Sequence, residues 1–205
     1  NLNDFTGETI SHKVWNSYND NPEKPLLNRG TNDHFPPGSI FKPVVALAGL
    51  ESGKFDIHTT FHCPGHYQIG RGKKYCGTRS GHGDTALVDG LEGSCNVYYW
   101  KMMERMDYAY TYRMASAFGF GSRTGIEVEG EVPGRLPNAA WKRRTLDEGW
   151  SLGDSINVAI GQGFLDVTPL QMACMVSTIA NGGTYYQPRL VRGFRDELGR
   201  LQLTQ

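Results

Sequence analysis

Apolar runs with helical spacing alternate along this chain with polar, glycine-rich stretches. Val44, Val45, Leu47, Ala48 and Leu50 follow a Pro-Pro-Gly turn and predict a buried helix ending near Gly53. Pro43 falls in its first turn, where early N–H groups have no intrahelical partner and a proline costs little. Residues 86–106 predict helices, with Gly93 to Met103 helical throughout, and 107–121 predicts another ending in Gly119. Thr168-Pro169 opens a further helix as N-cap and first helical residue. Leu170, Met172, Ala173, Met175, Val176 and Ile179 mark its buried side, and Asn181-Gly182-Gly183 stops it. Val14, Trp15 and Tyr18 are spaced like a short helix whose aromatics are expected in the core. Ile156 to Ile160 reads as extended, and 184–203 as extended segments with a turn near Glu197–Gly199. Residues 56–84 and 122–152 read as irregular. The charge runs Arg71-Gly72-Lys73-Lys74 and Lys142-Arg143-Arg144 read as solvated faces.

Composition narrows the picture only a little. A length of 205 residues allows one sizeable core. The 21 Lys and Arg balance 21 Asp and Glu, so no global charge argues for nucleic acid as a partner. The 26 glycines imply many turns. No apolar run approaches the ~20 residues that cross a bilayer, and no stretch reads as a signal peptide.

The chemistry concentrates at Ser39-Ile40-Phe41-Lys42. A serine hydroxyl is a weak nucleophile at neutral pH and needs a base nearby. Residues three apart at a helix start share a face, so Lys42 falls within reach of Ser39, and the helix N-terminus offers N–H groups to a developing oxyanion. Ser-x-x-Lys alone is a weak pattern, and a capping serine with a solvated lysine would explain it. Ser94-Cys95-Asn96 lies 55 positions beyond Ser39. That ordered pair is a signature of penicillin-recognising serine acyl-transfer enzymes.

Further segments occur in the same order: Pro25-Leu26-Leu27-Asn28-Arg29, Gly81-His82-Gly83, Phe118-Gly119-Phe120-Gly121, Thr124-Gly125-Ile126, Ile160-Gly161-Gln162-Gly163, Thr168-Pro169-Leu170-Gln171 and Pro188-Arg189-Leu190-Val191. With them the chain resembles the transpeptidase domain of the penicillin-binding protein 2 family, class B enzymes of cell-wall elongation. The resemblance implies an α+β fold like that of serine β-lactamases, with a helical subdomain and an antiparallel sheet. It implies one transpeptidase domain over residues 1–205. The family's third motif, Lys-Thr-Gly, is absent. Gly182-Gly183-Thr184 and Gly77-Thr78 lack its lysine and context. The motif's strand is expected beyond Gln205, as is an N-terminal membrane anchor before Asn1, so the sheet should be incomplete here.

The resemblance further implies a peptidoglycan D,D-transpeptidase on the outer side of a bacterial cytoplasmic membrane. Its partners would be stem peptides, β-lactams and membrane proteins of the elongation machinery. Ser39 would be the nucleophile and Lys42 its base, with a pKa lowered by burial and neighbouring positive charge. Ser94 would relay a proton to the leaving amine. Asn96 would orient Lys42 or bind the substrate amide, and the Ser39 N–H would form half of the oxyanion hole. A β-lactamase or penicillin sensor shares both motifs, and a zinc-stabilised scaffold domain would need neither.

The cysteines pose a separate question. Cys63, Cys76, His82 and Cys95 follow a Cys-x12-Cys-x5-His-x12-Cys spacing. Disulfides suit an exported protein, and buried thiols are a second reading. A Cys3His structural zinc is favoured, because residues 56–84 have few apolar side chains and a metal would tie them to the Ser94-Cys95-Asn96 segment. On a helix Cys95 would point about 100° away from each neighbour, behind the reacting face. His66 is a rival ligand. Cys174, on an apolar helix, is expected to be a small core residue.

Overall fold

The computed structural model describes residues 2–7 and 9–203. A 3-10 turn over Leu2–Phe5 precedes helix α1, His12–Asn19, capped by Ser11. No α1 side chain is buried, and Trp15 is 44% exposed. The aromatics predicted for the core therefore lie outside it. Tyr18 instead packs its ring at a tilt 5.2 Å from that of Phe5 and donates its hydroxyl to Asp4.

A second 3-10 turn, Gly38–Phe41, runs directly into α2, Lys42–Glu51. Phe41, Val44, Val45 and Ala48 are fully buried, so α2 forms the axis of the core, while Leu47 reaches solvent. Helices α3 (Leu87–Glu92), α4 (Asn96–Arg105) and α5 (Tyr108–Ala117) pack around it. A Cβ on Gly49 would sit 2.7 Å from Met102 Sδ, which shows how closely α2 and α4 approach.

The 56–84 region is not irregular. Strand β1 (Phe61–Cys63) pairs antiparallel with β4 (Gly83–Thr85), and between them β2 (His66–Ile69) and β3 (Gly72–Tyr75) form a hairpin. Tyr67 anchors that hairpin by packing its ring on Trp100 of α4 at 5.8 Å. Near the C-terminus β5 (Gly193–Arg195) pairs with β6 (Leu201–Leu203), with the predicted turn between them. The antiparallel strands thus occur as three separate two-stranded ladders among the described residues.

Two further regions differ from the pattern reading. The basic cluster lies on helix α6, Ala139–Leu146, which starts where Asn138 accepts the Trp141 N–H. Lys142 is buried rather than solvated, with its amine 2.8 Å from Asp154 Oδ2. Residues 152–158 form α7 and not a strand, because Ser151 and Asp154 close a reciprocal capping box. Burial alone would raise the Asp154 carboxyl, but Lys142 and Ser151 outweigh it and hold it low.

Helix α8 (Pro169–Ala180) begins as predicted, with Thr168 and Gln171 capping each other, a cap worth about 1 kcal/mol. Gln171, Cys174, Met175 and Thr178 face inward, and Gln171 Nε2 ties down the Ser122 and Pro133 carbonyls. Val176 and Ile179, expected on the buried side, are 51% and 43% exposed. No helix among the described residues is long and apolar enough to cross a membrane.

Candidate active site

The turn that presents Ser39 is held from behind by backbone. Gly38 adopts φ +61° and donates its N–H to the Gly161 carbonyl at 2.8 Å. Gly161 itself has φ +69°, and a Cβ there would lie 2.1 Å from the Gly38 oxygen. Gly161→Ala should therefore displace Ser39. Its left-handed backbone alone costs about 1–2 kcal/mol, and the collision adds to that. Urea denaturation should show the defect, and a wild-type midpoint would contradict it.

Lys42 is 1% exposed. Its ammonium donates to Ser94 O at 2.7 Å, Ser94 Oγ at 2.9 Å and Asn96 Oδ1 at 2.8 Å. All three donors are used, and every acceptor is neutral. The amine also lies 5.5 Å from the centre of the Tyr99 ring. Burial lowers the Lys42 pKa to about 8, against a partial opposing pull from Cys76 and Cys95. The neighbouring positive charge expected from the sequence is not among the causes.

The link to Ser39 also differs from the simple i, i+3 picture. Ser94 Oγ lies 2.9 Å from Ser39 Oγ, so Ser94 stands between the Lys42 amine and the Ser39 hydroxyl in a continuous chain of hydrogen bonds. As placed, Lys42 donates to Ser94 and Ser94 donates to Ser39, the pattern for a protonated amine. Reversing both bonds delivers the Ser39 proton to a neutral Lys42. The structure thus brings together all four predicted motif residues.

Ser94 is not helical. It has φ +50° in the break between α3 and α4, a conformation that costs a non-glycine residue about 1–3 kcal/mol. That backbone turns both its carbonyl and its hydroxyl toward Lys42. Cys95 is the extended N-cap of α4, its sulfur accepting the Tyr98 N–H. The opposed directions of Ser94 and Cys95 therefore come from a chain break, not from the helical 100° rotation.

Behind that break, Cys63, Cys76, His82 and Cys95 offer ligand atoms all within 4.8 Å of one another. All three cysteines are buried and free. Zinc bonds of about 2.3 Å to sulfur and about 2.0–2.1 Å to nitrogen, set tetrahedrally, separate the two ligand atoms by about 3.6 Å. Cys63 and Cys76 stand 3.5 and 3.6 Å from His82 Nδ1. The donor set fits such an ion. The two sides of this knuckle cross so tightly that a Cβ on Gly81 would fall 2.2 Å from the Cys63 oxygen. His66 is not part of the cluster, and Cys174 is buried on α8 as expected.

Two grooves flank the motif residues. One, about 370 Å³, is apolar and runs from Ser39 past Ile40, Pro43 and Leu91 to Val176 and Ile179. The other, about 320 Å³, is polar and runs from Asn96 to Lys73, Lys74 and Gln162. A third cavity, about 450 Å³ between His34, Tyr112, Arg135 and Trp141, touches none of the motif residues.

Residues 2–205 match the family model described as the penicillin binding protein transpeptidase domain. The chain belongs to the penicillin-binding protein transpeptidase family. Two curated relatives are named peptidoglycan D,D-transpeptidase MrdA. The one from Acinetobacter baumannii is 35% identical over 89% of this chain and 28% of its own length. The one from Escherichia coli K12 is 33% identical over 89% of this chain and 29% of its own. This penicillin-binding protein domain therefore spans under a third of those relatives' length. Its fold superposes on penicillin-binding protein 2 of Helicobacter pylori, solved with MreC. The TM-score there is 0.87 at 34% identity, over 92% of this chain and 35% of that one. Penicillin-binding protein 2 of Pseudomonas aeruginosa, solved with WCK 5153, gives 0.85 at 33%, over 89% of this chain and 42% of that one. The mixed fold read from the sequence is that of these penicillin-binding proteins.

Sequence reasoning missed two features of the site. The Gly161 backbone clamp left a signal in Gly161-Gln162-Gly163, but only the structure shows what the glycine lies against. Lys74, read as solvated, is half-buried and donates to Asn157 Oδ1 at 2.8 Å.

Proposed function

We propose that this domain performs the acyl-transfer chemistry of a peptidoglycan D,D-transpeptidase. The observation that carries the reading is the unbroken Lys42–Ser94–Ser39 chain on a rigid turn. Ser39 Oγ attacks the carbonyl of a D-Ala-D-Ala-type stem peptide while its proton passes through Ser94 to neutral Lys42. The tetrahedral intermediate carries its oxyanion beside the Ser39 N–H, at the start of the turn where N–H groups lack intrahelical partners. Collapse breaks the C–N bond, and the stored proton returns through Ser94 to the departing amine, releasing D-alanine. An amine of a second stem peptide then attacks the Ser39 ester, forming the crosslink and restoring the hydroxyl. Asn96 Oδ1 holds Lys42 in line. A β-lactam would acylate the same serine and leave slowly.

The Cys63, Cys76, His82 and Cys95 set would hold a structural zinc, closed to water and substrate. Such a zinc would fix the α3–α4 break from behind. By analogy with the H. pylori protein solved with MreC, a partner of the elongation machinery is proposed for the whole protein. The proposed setting is the outer side of the cytoplasmic membrane.

A chromogenic cephalosporin tests the reading. The expected trace is a burst of at most one equivalent per chain followed by very slow turnover, with no burst from Ser39→Ala. Sustained hydrolysis would favour a β-lactamase, and a burst that survives Ser39→Ala would refute the nucleophile. No reaction of the wild type would favour a scaffold domain.

A further inference from the structure

We propose that the groove beside Asn96, walled by the free edge of β3, is a subsite for an extended, carboxylate-bearing stretch of the peptide substrate. This rests on the acyl-transfer reading and adds to it what the peptide must carry. The groove holds about 320 Å³ and is lined by Lys73, Lys74, Tyr75, Asn96, Trp100 and Gln162, with Ile160 at its side.

The polar side chains facing it are rich in donors. Asn96 has given its Oδ1 to Lys42, which leaves the amide's NH2 for the groove. Lys74 spends one N–H on Asn157 and keeps two. Lys73 is exposed. From His66 to Gly83 the chain carries Arg71, Lys73, Lys74 and Arg79 and no carboxylate. Glu104 of α4 is engaged by the Tyr67 hydroxyl. No acidic side chain lines the groove, so its unmet complement is an anionic acceptor. Charge-assisted bonds to a carboxylate are the strong ones.

The backbone of the same wall suits an extended peptide. Cys76 N–H donates to the Gly65 carbonyl at 2.9 Å, and Lys74 pairs with Tyr67. Hydrogen-bonded pairs alternate along an antiparallel ladder, so the N–H and C=O groups of Lys73 and Tyr75 turn to the other edge. β3 pairs only with β2 among the described residues, so that edge is free to take a peptide strand. Asn96 belongs to both the groove and the Lys42 network. A peptide seated here therefore reaches the reacting centre.

The test is protection of Ser39 from fluorescent penicillin by two peptides ending in D-Ala-D-Ala. They are identical except that a side-chain carboxylate in one is a carboxamide in the other. The carboxylate peptide should protect at about tenfold lower concentration, a gap expected for a charge-assisted bond. Lys73→Gln, which leaves the Lys74–Asn157 tether intact, should narrow the gap, and Lys73→Gln with Lys74→Gln should close it. Equal potency of the two peptides on the wild type, including no protection by either, overturns the subsite. So does a gap that persists in the double variant. Failure of fluorescent penicillin to label the wild type in the absence of peptide would instead strike the acyl-transfer reading.

Discussion

Lys42→Met is expected to slow acylation of Ser39 by roughly 10²–10⁴-fold, the range supplied by a positioned general base. Methionine keeps much of the lysine stem's packing and removes the one group able to accept the Ser39 proton through Ser94. The amine sits 1% exposed among neutral acceptors, so its removal takes away a buried charge as well as three hydrogen bonds. The folded state should survive while the chemistry fails, as expected where a strained polar site serves activity rather than stability. The pH profile carries the same signature. Lys42 has a pKa lowered by burial to about 8. Only its neutral form can take a proton, so wild-type acylation should rise with pH through about 8 and level off above it. Lys42→Met should lack that limb. Stopped-flow measurement of penicillin acylation across this range reads both effects, and a variant with a wild-type rate would remove Lys42 from the mechanism.

Metal removal has the second large expected effect. One zinc per chain is expected on the purified protein. Cys63, Cys76 and Cys95 should react with thiol reagents only after chelation. A ligand that binds the folded state with free concentration a thousandfold above Kd contributes about 4 kcal/mol. In a chain of this size each kcal/mol moves Tm by about 2–4 °C. Chelation should therefore lower Tm by roughly 10 °C. Acylation should fall with it, because Cys95 is flanked by Ser94 and Asn96, and both of these bond Lys42. Cys95→Ser should mimic chelation, whereas Cys174→Ser, on α8 outside the cluster, should leave metal content unchanged. Two thiols missing from the count without any metal would mean a disulfide and would retire the zinc site.

What the sequence revealed follows physical range. Helices α2, α5 and α8 were legible because each combines an apolar run with a local start or stop signal, such as Pro43 or Thr168-Pro169. The motif residues were legible as an ordered pair, and their meeting around Lys42 follows from α2 packing against α4. The α6 and α7 helices were hidden because their caps, Asn138 and the Ser151–Asp154 box, lie inside stretches that look loop-like or strand-like by hydropathy. Lys142 looked solvated because its partner Asp154 is distant in sequence. The break at Ser94 was not legible at all. Nothing in Gly93-Ser94-Cys95-Asn96 announces a left-handed serine, yet that one φ angle decides that Ser94 joins the Lys42 amine to the Ser39 hydroxyl. The reading of α8 erred in a different way. Its apolar residues cover more than one face, and periodicity does not say which face the core takes.

Intact-protein mass spectrometry after incubation with benzylpenicillin, followed by peptide mapping, tests the central claim most directly. The account predicts a mass increase of one intact penicillin per chain, located on Ser39, slow to leave and absent from Ser39→Ala. An unmodified protein, or an adduct on any other residue, would contradict it.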